Sequence, residues 1–394
     1  MQSYSSHFQR SLGSFKGGLH FAAHSHHPWP DASRDAQLEA WDDAARLLDT
    51  KWDLIFGELL PRLQTRVARR IGLSNPSNLV FAPSSHELLV RLVSGIDRPV
   101  VRILTTDAEF HSARRQFARW VESGSAKVES VPAEPFDSFP KRFRAAIAKG
   151  GYDLVTWSHV FFDSGYVVPD LEDLVAAIPD PRAEVLIDGY HAFNALPVDL
   201  AGIESRAFYS AGGYKYAMAG EGCCFLHCPA GRVLRPTFTG WFAGFGSLAT
   251  EDFSGEVGYG PDAGRFRGST FDPVALYRLD ASLAWMDREG LDPARIHAHV
   301  LGLQDQFLGT LSLEGAPFSL ENLIPRAIDG PRGHFLTFRL AAATDLQRKL
   351  KDAGVLTDAR RDRLRIGMGV YHDPTDVGAL IAKLGELELL GDSN

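Results

Sequence analysis

Short apolar runs and longer helical periodicities alternate along the chain between about residues 50 and 275. From Asp31 to Ile71, apolar residues (Leu38, Trp41, Ala45, Leu48, then Leu54, Ile55, Leu59, Leu63, Val67) recur at helical spacing, and Pro61 marks a break or a helix start. Asn78 to Ala82 reads as a strand, and an apolar-periodic helix follows the Ser84-Ser85 pair to about Ser94. Further strands are predicted at Val100 to Leu104, Asp153 to Trp157, Val185 to Ile187 and Ala207 to Tyr209. Helical periodicity resumes after Val274 (Leu276, Leu279, Leu283, Met286, then Ile296, Val300, Leu303, Phe307). His334 to Leu340 then alternates as a strand, and Leu346 to Ala353 reads as a helix. Alternation of this kind predicts an α/β fold with a mostly parallel sheet. Ligands bind such sheets in the crevice outside the carboxyl ends of the strands, so the residues just past each strand are the candidates for chemistry.

Composition narrows the function. A chain of 394 residues favours two domains over one core. With 41 Lys+Arg against 49 Asp+Glu the net charge is -8, which provides no basic field for a nucleic acid. No run approaches the ~18 apolar residues of a membrane span, and the amino-terminal residues lack the apolar core of a signal peptide. The cysteines, Cys223, Cys224 and Cys228, crowd one strand-like run; an odd number there reads as buried thiols in a reducing compartment, and a cytoplasmic location is expected.

Two strand ends carry a matched pair. The run Val185-Leu186-Ile187 delivers Asp188 into a turn with His191 three residues on, and Ala207-Phe208-Tyr209 feeds Gly212-Gly213-Tyr214-Lys215. Alone, Asp188 reads first as a helix cap and Lys215 as a solvated surface lysine. Together they suit pyridoxal phosphate, whose aldehyde condenses with a lysine amine and whose ring nitrogen is kept protonated by a carboxylate. Glycines at 212, 213, 220 and 222 let backbone approach a ligand closely. Ser84 and Ser85 read first as a helix N-cap, and the same geometry offers hydroxyls and free N–H groups to a phosphate.

The segment resembles the lysine region of the class V aminotransferase superfamily of fold-type I pyridoxal-phosphate enzymes, and within it most nearly the kynureninases. Their Asp-x-x-His and Ser-Tyr-Lys-Tyr motifs appear as Asp188-Gly189-Tyr190-His191 and Gly213-Tyr214-Lys215-Tyr216, with Gly213 in place of the serine. The resemblance implies Lys215 and Asp188 as catalytic residues, and Ser84, Ser85, Ser158, His191 and Tyr214 as further cofactor contacts. Phe110 matches the aromatic that stacks on the pyridine ring, with His111 beside it as an extra donor. Ser25 matches the serine of the kynureninase entry segment and His24 replaces its asparagine, which implies substrate contact at both. Alternation places His24 and His26 on one side of an extended segment, but no metal-ligand spacing accompanies His20, His24, His26 and His27, and no metal is expected.

Gly240-Trp241-Phe242 opens a Gly- and aromatic-rich stretch, expected to be a long functional loop, that ends in Phe266-Arg267-Gly268-Ser269-Thr270. By resemblance Trp241 touches cofactor and substrate. Thr270 stands where kynureninases have an asparagine that touches the substrate's aryl end, and where other class V members reach the neighbouring subunit's phosphate. Arg365, in Arg363-Leu364-Arg365-Ile366, matches the arginine that binds the substrate α-carboxylate, for which a guanidinium fork is suited. The implied organisation is a large cofactor domain over residues 46–275, a small α+β domain made of 1–45 plus 276–394, and a homodimer with its sites at the interface. The implied activity is a kynureninase-like lyase or hydrolase acting on an amino acid with altered substrate recognition, the alternative being a class V aminotransferase. A cysteine desulfurase or selenocysteine lyase is disfavoured because no cysteine follows Cys228, and a non-catalytic protein of this fold is the remaining option.

Overall fold

A seven-stranded sheet organises the computed structural model, which describes residues 3–15, 18–247, 255–260, 263–326 and 330–391. Its strands are β1 (Leu79–Ala82), β2 (Val101–Thr106), β3 (Ala126–Val131), β4 (Leu154–Ser158), β5 (Glu184–Asp188), β6 (Phe208–Gly212) and β7 (Cys224–His227), in spatial order β1-β7-β6-β5-β4-β2-β3. All pairings are parallel except those of β7, which runs antiparallel to β1 and β6. Residues 79–82, 154–158, 208–212 and 224–227 are buried throughout, as expected of strands covered on both faces, and this explains why they read as apolar runs. Cys223, Cys224 and Cys228 are free and buried in or beside β7. The fold is thus α/β with a mostly parallel sheet, the architecture that the sequence resemblance implies.

The helical stretch before the sheet is interrupted. It forms α1 (Asp31–Leu47), a short Lys51–Leu54 helix, a π-helical turn at Ile55–Leu59 and α2 (Leu60–Arg70), with Pro61 in the first turn of α2, where a missing N–H costs nothing. β1 leads into α3 (Ser85–Ser94), and β2 into α4 (His111–Glu122). α5 (Val274–Arg288) and α6 (Pro293–Leu308) follow the sheet. A second, four-stranded antiparallel sheet holds β8 (Leu323–Ile324), β9 (Phe335–Arg339), β10 (Asp358–Arg360) and β11 (Arg363–Gly367) in the order β10-β11-β9-β8. Phe21 packs with Val300, Phe307, Phe338, Leu364 and Ile366 in a core beside this sheet, while Tyr4, Phe8, Ala36 and Ala40 join the core of the large sheet.

The described part of the stretch from Gly240 to Pro273 contains only two short 3-10 turns, Trp241–Ser247 and Ala263–Phe266; residues 248–254 and 261–262 lie outside the described residues. One local expectation fails. Residues 22–26 are a turn, not an extended segment, because the N–H groups of Ser25 and His26 both donate to Ala22 O, at 2.9 and 3.0 Å. His24 is therefore buried while His26 faces outward, its Nδ1 3.2 Å from the Tyr214 hydroxyl. Among the described residues no cluster of histidines, cysteines and carboxylates has the geometry to hold a metal, and no helix is long and apolar enough to cross a membrane.

Candidate active site

A cavity of about 390 Å³ opens at the carboxyl ends of the parallel strands. Ser84, Ser85, Phe110, Ser158, Asp188, His191, Tyr214 and Lys215 all line it, brought there from five strand ends. Ser158 and Asp188 are register partners on β4 and β5, and Asp188 is in turn opposite Ser210 on β6. The strand-to-turn change at Asp188 is made by its own carboxylate, whose Oδ1 accepts from the N–H of Tyr190 at 2.9 Å. Gly189 is required here, because a Cβ at this position would overlap the Tyr209 ring.

Burial sets the protonation of the site. It pushes the Asp188 carboxyl up to about 6, opposed only by the Tyr190 N–H. It pulls the Lys215 amine down to about 7, aided by the charges of Arg365 and Arg360. His191 is held well below its ordinary value by burial and the nearby cations, so its imidazole is neutral. Lys215 Nζ donates to the main-chain carbonyls of His24 and Ser25 at 2.7 and 2.9 Å and lies 5.1 Å from the centre of the Tyr214 ring.

Elsewhere on the cavity wall, Ser84 is the N-cap of α3, its Oγ accepting from Glu87 N at 3.2 Å, and Ser85 begins the helix. This arrangement leaves first-turn N–H groups, the Ser85 hydroxyl and the positive end of the helix dipole at the cavity wall, a combination suited to an anion. Phe110 precedes α4 and is 44% exposed, enough for one ring face to meet a ligand; its other neighbours are Phe162, edge-on at 5.4 Å, and His111.

The remaining predicted residues sit elsewhere. Side chains of His24, Ser25 and Arg365 are not part of the cavity wall; His24 and Ser25 reach the site through the carbonyls that hold Lys215. Arg365 is buried, its guanidinium bonded to Asp358 and to Phe162 O. Trp241 and Thr270 are exposed and joined to each other, Trp241 Nε1 to Thr270 Oγ1 at 3.3 Å, away from the cavity wall of their own chain.

Several neighbours escaped the sequence reading. Glu109 is buried beneath the wall and accepts from Thr106 Oγ1 at 2.6 Å, Ser158 Oγ at 2.7 Å and Ser158 N at 3.1 Å; burial pushes its carboxyl up to about 7, against those three bonds. The Ser158 hydroxyl therefore spends its one proton on Glu109 when that carboxyl is ionised, and presents only lone pairs to the cavity. Tyr190 and Cys224 also line the cavity, with hydroxyl and thiol 3.6 Å apart, and burial raises the thiol to about 11. An acid three residues past the end of β2 was the visible signal for Glu109; Cys224 gave none beyond its strand.

The residues present fit pyridoxal phosphate: an acid for the ring nitrogen, an amine lowered to about 7 for the aldehyde and a helix N-terminus for the phosphate converge on one cavity. Comparison with known proteins agrees. The family profile for aminotransferase class-V matches residues 56–322. The chain belongs to that family, whose cofactor is pyridoxal phosphate. No curated protein sequence matches the chain. Among solved structures, a lysine-to-alanine mutant of C-DES with glycine covalently linked to its PLP cofactor superposes with a TM-score of 0.79 at 17% identity, over 97% of this chain and 99% of that one. The apo cysteine desulfurase of Thermococcus onnurineus NA1 gives 0.76 at 17% identity, over 98% of both chains. The Escherichia coli cysteine desulfurase CsdA gives 0.74 at 16%, over 99% of this chain and all of that one. At such identities the likeness is one of fold.

Proposed function

We propose that this chain is a pyridoxal-phosphate-dependent enzyme that cleaves the side chain of an amino acid, in the manner of kynureninase but with changed substrate recognition. The observation that carries the reading is the convergence of Lys215, Asp188 and the Ser84-Ser85 helix start on one cavity. Bound there, the cofactor supplies an electron sink for the pair left behind when a bond to the α-carbon breaks. Asp188 would hold the proton on the ring nitrogen, Ser84 and Ser85 with the first turn of α3 would hold the phosphate, and Phe110 would cover one ring face. His191, Ser158 and Tyr214 complete the cofactor contacts in this reading. Lys215, poised near 7, accepts a proton at Nζ and returns it without a large energetic penalty at neutral pH. Arg365 would bind the α-carboxylate, with His24, Ser25, Trp241 and Thr270 shaping recognition of the rest.

The kynureninase-like branch is supported by the placement of its motif residues: His191 faces the same cavity as Asp188, and Tyr214 stands beside Lys215. Transamination is the second reading, favoured by the family match. A mechanism that depends on a mobile nucleophilic cysteine is disfavoured, since Cys223, Cys224 and Cys228 are all buried and no other cysteine exists in the chain. Assay with kynurenine, scoring anthranilate and alanine, against assay of amino donors with 2-oxo acids separates the branches. Transfer of the amino group without bond cleavage would overturn the first.

In this reading the enzyme is a homodimer. Exposed Leu38, Trp41 and Leu48 on and beside α1, with Trp241 and Phe245, are apolar surface that a second copy would cover, and that would bring Thr270 near an interface. We also divide the chain into a large cofactor unit and a smaller one, supported by the separate core around Phe338 and Ile366; the packing of Ala36 and Ala40 with the large core favours assigning α1 to the large unit in place of residues 1–45 as a whole to the small one.

A further inference from the structure

Asp358 and Arg365 are register partners across the β10–β11 pair, so their side chains share one face of the small sheet and form an ion pair. Arg365 uses one terminal nitrogen on Asp358 and the other on the carbonyl of Phe162, which fixes the plane of the guanidinium. Its Nε is buried and has no hydrogen-bond partner among the described residues. Asp358 also lies 3.6 Å from His24 Nε2. The His24 ring is fully buried, both of its nitrogens lack a hydrogen bond among the described residues, and it stacks at 4.6 Å on Phe335, over which the Arg365 guanidinium also sits at 5.8 Å. Arg365 and His24, from two other segments, are thus gathered around the Asp358 carboxylate, immediately behind the His24 carbonyl that holds Lys215.

A buried ion pair is a poor source of stability, because desolvation offsets most of the Coulomb gain, so the group calls for another explanation. Two are available: Asp358 competes with a ligand for Arg365, or it orients Arg365 for one. Register places Asp358 permanently opposite Arg365, and it engages only one edge of the guanidinium, leaving Nε and the two imidazole nitrogens unpaired. We propose that Asp358 is a positioning residue that holds Arg365 and His24 as one unit for the α-carboxylate of the substrate, without touching the substrate itself. This rests on the reading of Lys215 as the centre of an amino-acid site.

The test uses the cofactor-loaded protein and two probes, L-alanine and ethylamine, which share an amine and differ in the carboxylate; binding is read from the change in cofactor absorbance. Asp358→Asn should raise the dissociation constant for alanine by about tenfold and leave that for ethylamine unchanged, and Asp358→Glu should restore part of the loss. His24→Gln, which keeps the Asp358–Arg365 pair, provides a second arm and should give a smaller loss of the same selectivity. Equal losses for both probes, unchanged alanine binding, or tighter alanine binding would overturn the proposal. A wild-type protein that shows no cofactor absorbance would instead sink the underlying reading.

Discussion

Lys215 donates from Nζ to the carbonyl of His24 at 2.7 Å, and a second bond goes to Ser25 O at 2.9 Å. An unprotonated amine has two N–H groups, and both are taken by these carbonyls, so the lone pair is the feature left for chemistry. A turn at residues 22–26, far from the lysine in sequence, therefore supplies part of the nucleophile's environment.

Three buried ionisable groups at the site give the cofactor-free protein a distinct pH profile. Glu109 and Asp188 have folded values raised to about 7 and about 6, so their contribution to stability is full in acid and is lost as pH rises toward 7. Lys215 has a folded value lowered to about 7, so its unfavourable contribution is full below 7 and is relieved as pH rises toward 10. Stability of the apo protein, measured by urea unfolding, should pass through a minimum near neutrality. Glu109→Gln should flatten the acid limb and Lys215→Met the alkaline one; unaltered limbs in both variants would contradict the assignment.

Ser84 and Ser85 should separate by their two jobs. Ser84→Ala removes the N-cap of α3 and should cost the apo protein about 1 kcal/mol. Ser85→Ala removes no cap, so it should leave apo stability within experimental error while weakening cofactor retention. Thermal melts of apo and loaded protein distinguish the two, and an equal loss of apo stability in both variants would count against this division.

Gly189→Ala places a methyl group in the space of the Tyr209 ring, directly between Asp188 and His191. Overpacking of this kind typically costs 1–3 kcal/mol, about 2 here, and the displaced turn should also lower cofactor affinity. Cofactor affinity equal to wild type would show that the turn adapts without moving Asp188.

The sheet was legible because its strands are buried on both faces and read as apolar runs, and the site because a lysine, an acid and a serine pair each followed such a run. β3 was missed: its burial alternates irregularly at the sheet edge, and Lys127, Glu129 and Ser130 break any run. The turn at residues 22–26 read as extended because alternation of His24 and His26 carries no information about Ala22 accepting two N–H groups. Glu109 and Asp358 were not assigned roles, since what matters for each is a partner distant in the chain: Ser158 for one, Arg365 for the other in the strand register.

Far from the cavity, Arg70 is buried and ties α2 to α5, donating to Asp287 at 2.8 Å, to Asn194 at 3.1 Å and to the carbonyl of Leu291 at 3.2 Å. Arg70→Met should cost about 3 kcal/mol, because the buried acceptors Asn194 Oδ1 and Leu291 O lose a donor, although the exposed Asp287 keeps Arg66 and Arg69. Equilibrium unfolding checks the size of the loss, and the cofactor absorbance of the folded fraction should remain that of the wild type.

The central claim concerns Lys215. Protein loaded with pyridoxal phosphate should be yellow, and borohydride reduction followed by peptide mass analysis should find the cofactor fixed to Lys215, with the colour abolished in Lys215→Ala and weakened in Asp188→Asn. A colourless wild type, or a label fixed to another lysine, would contradict the account.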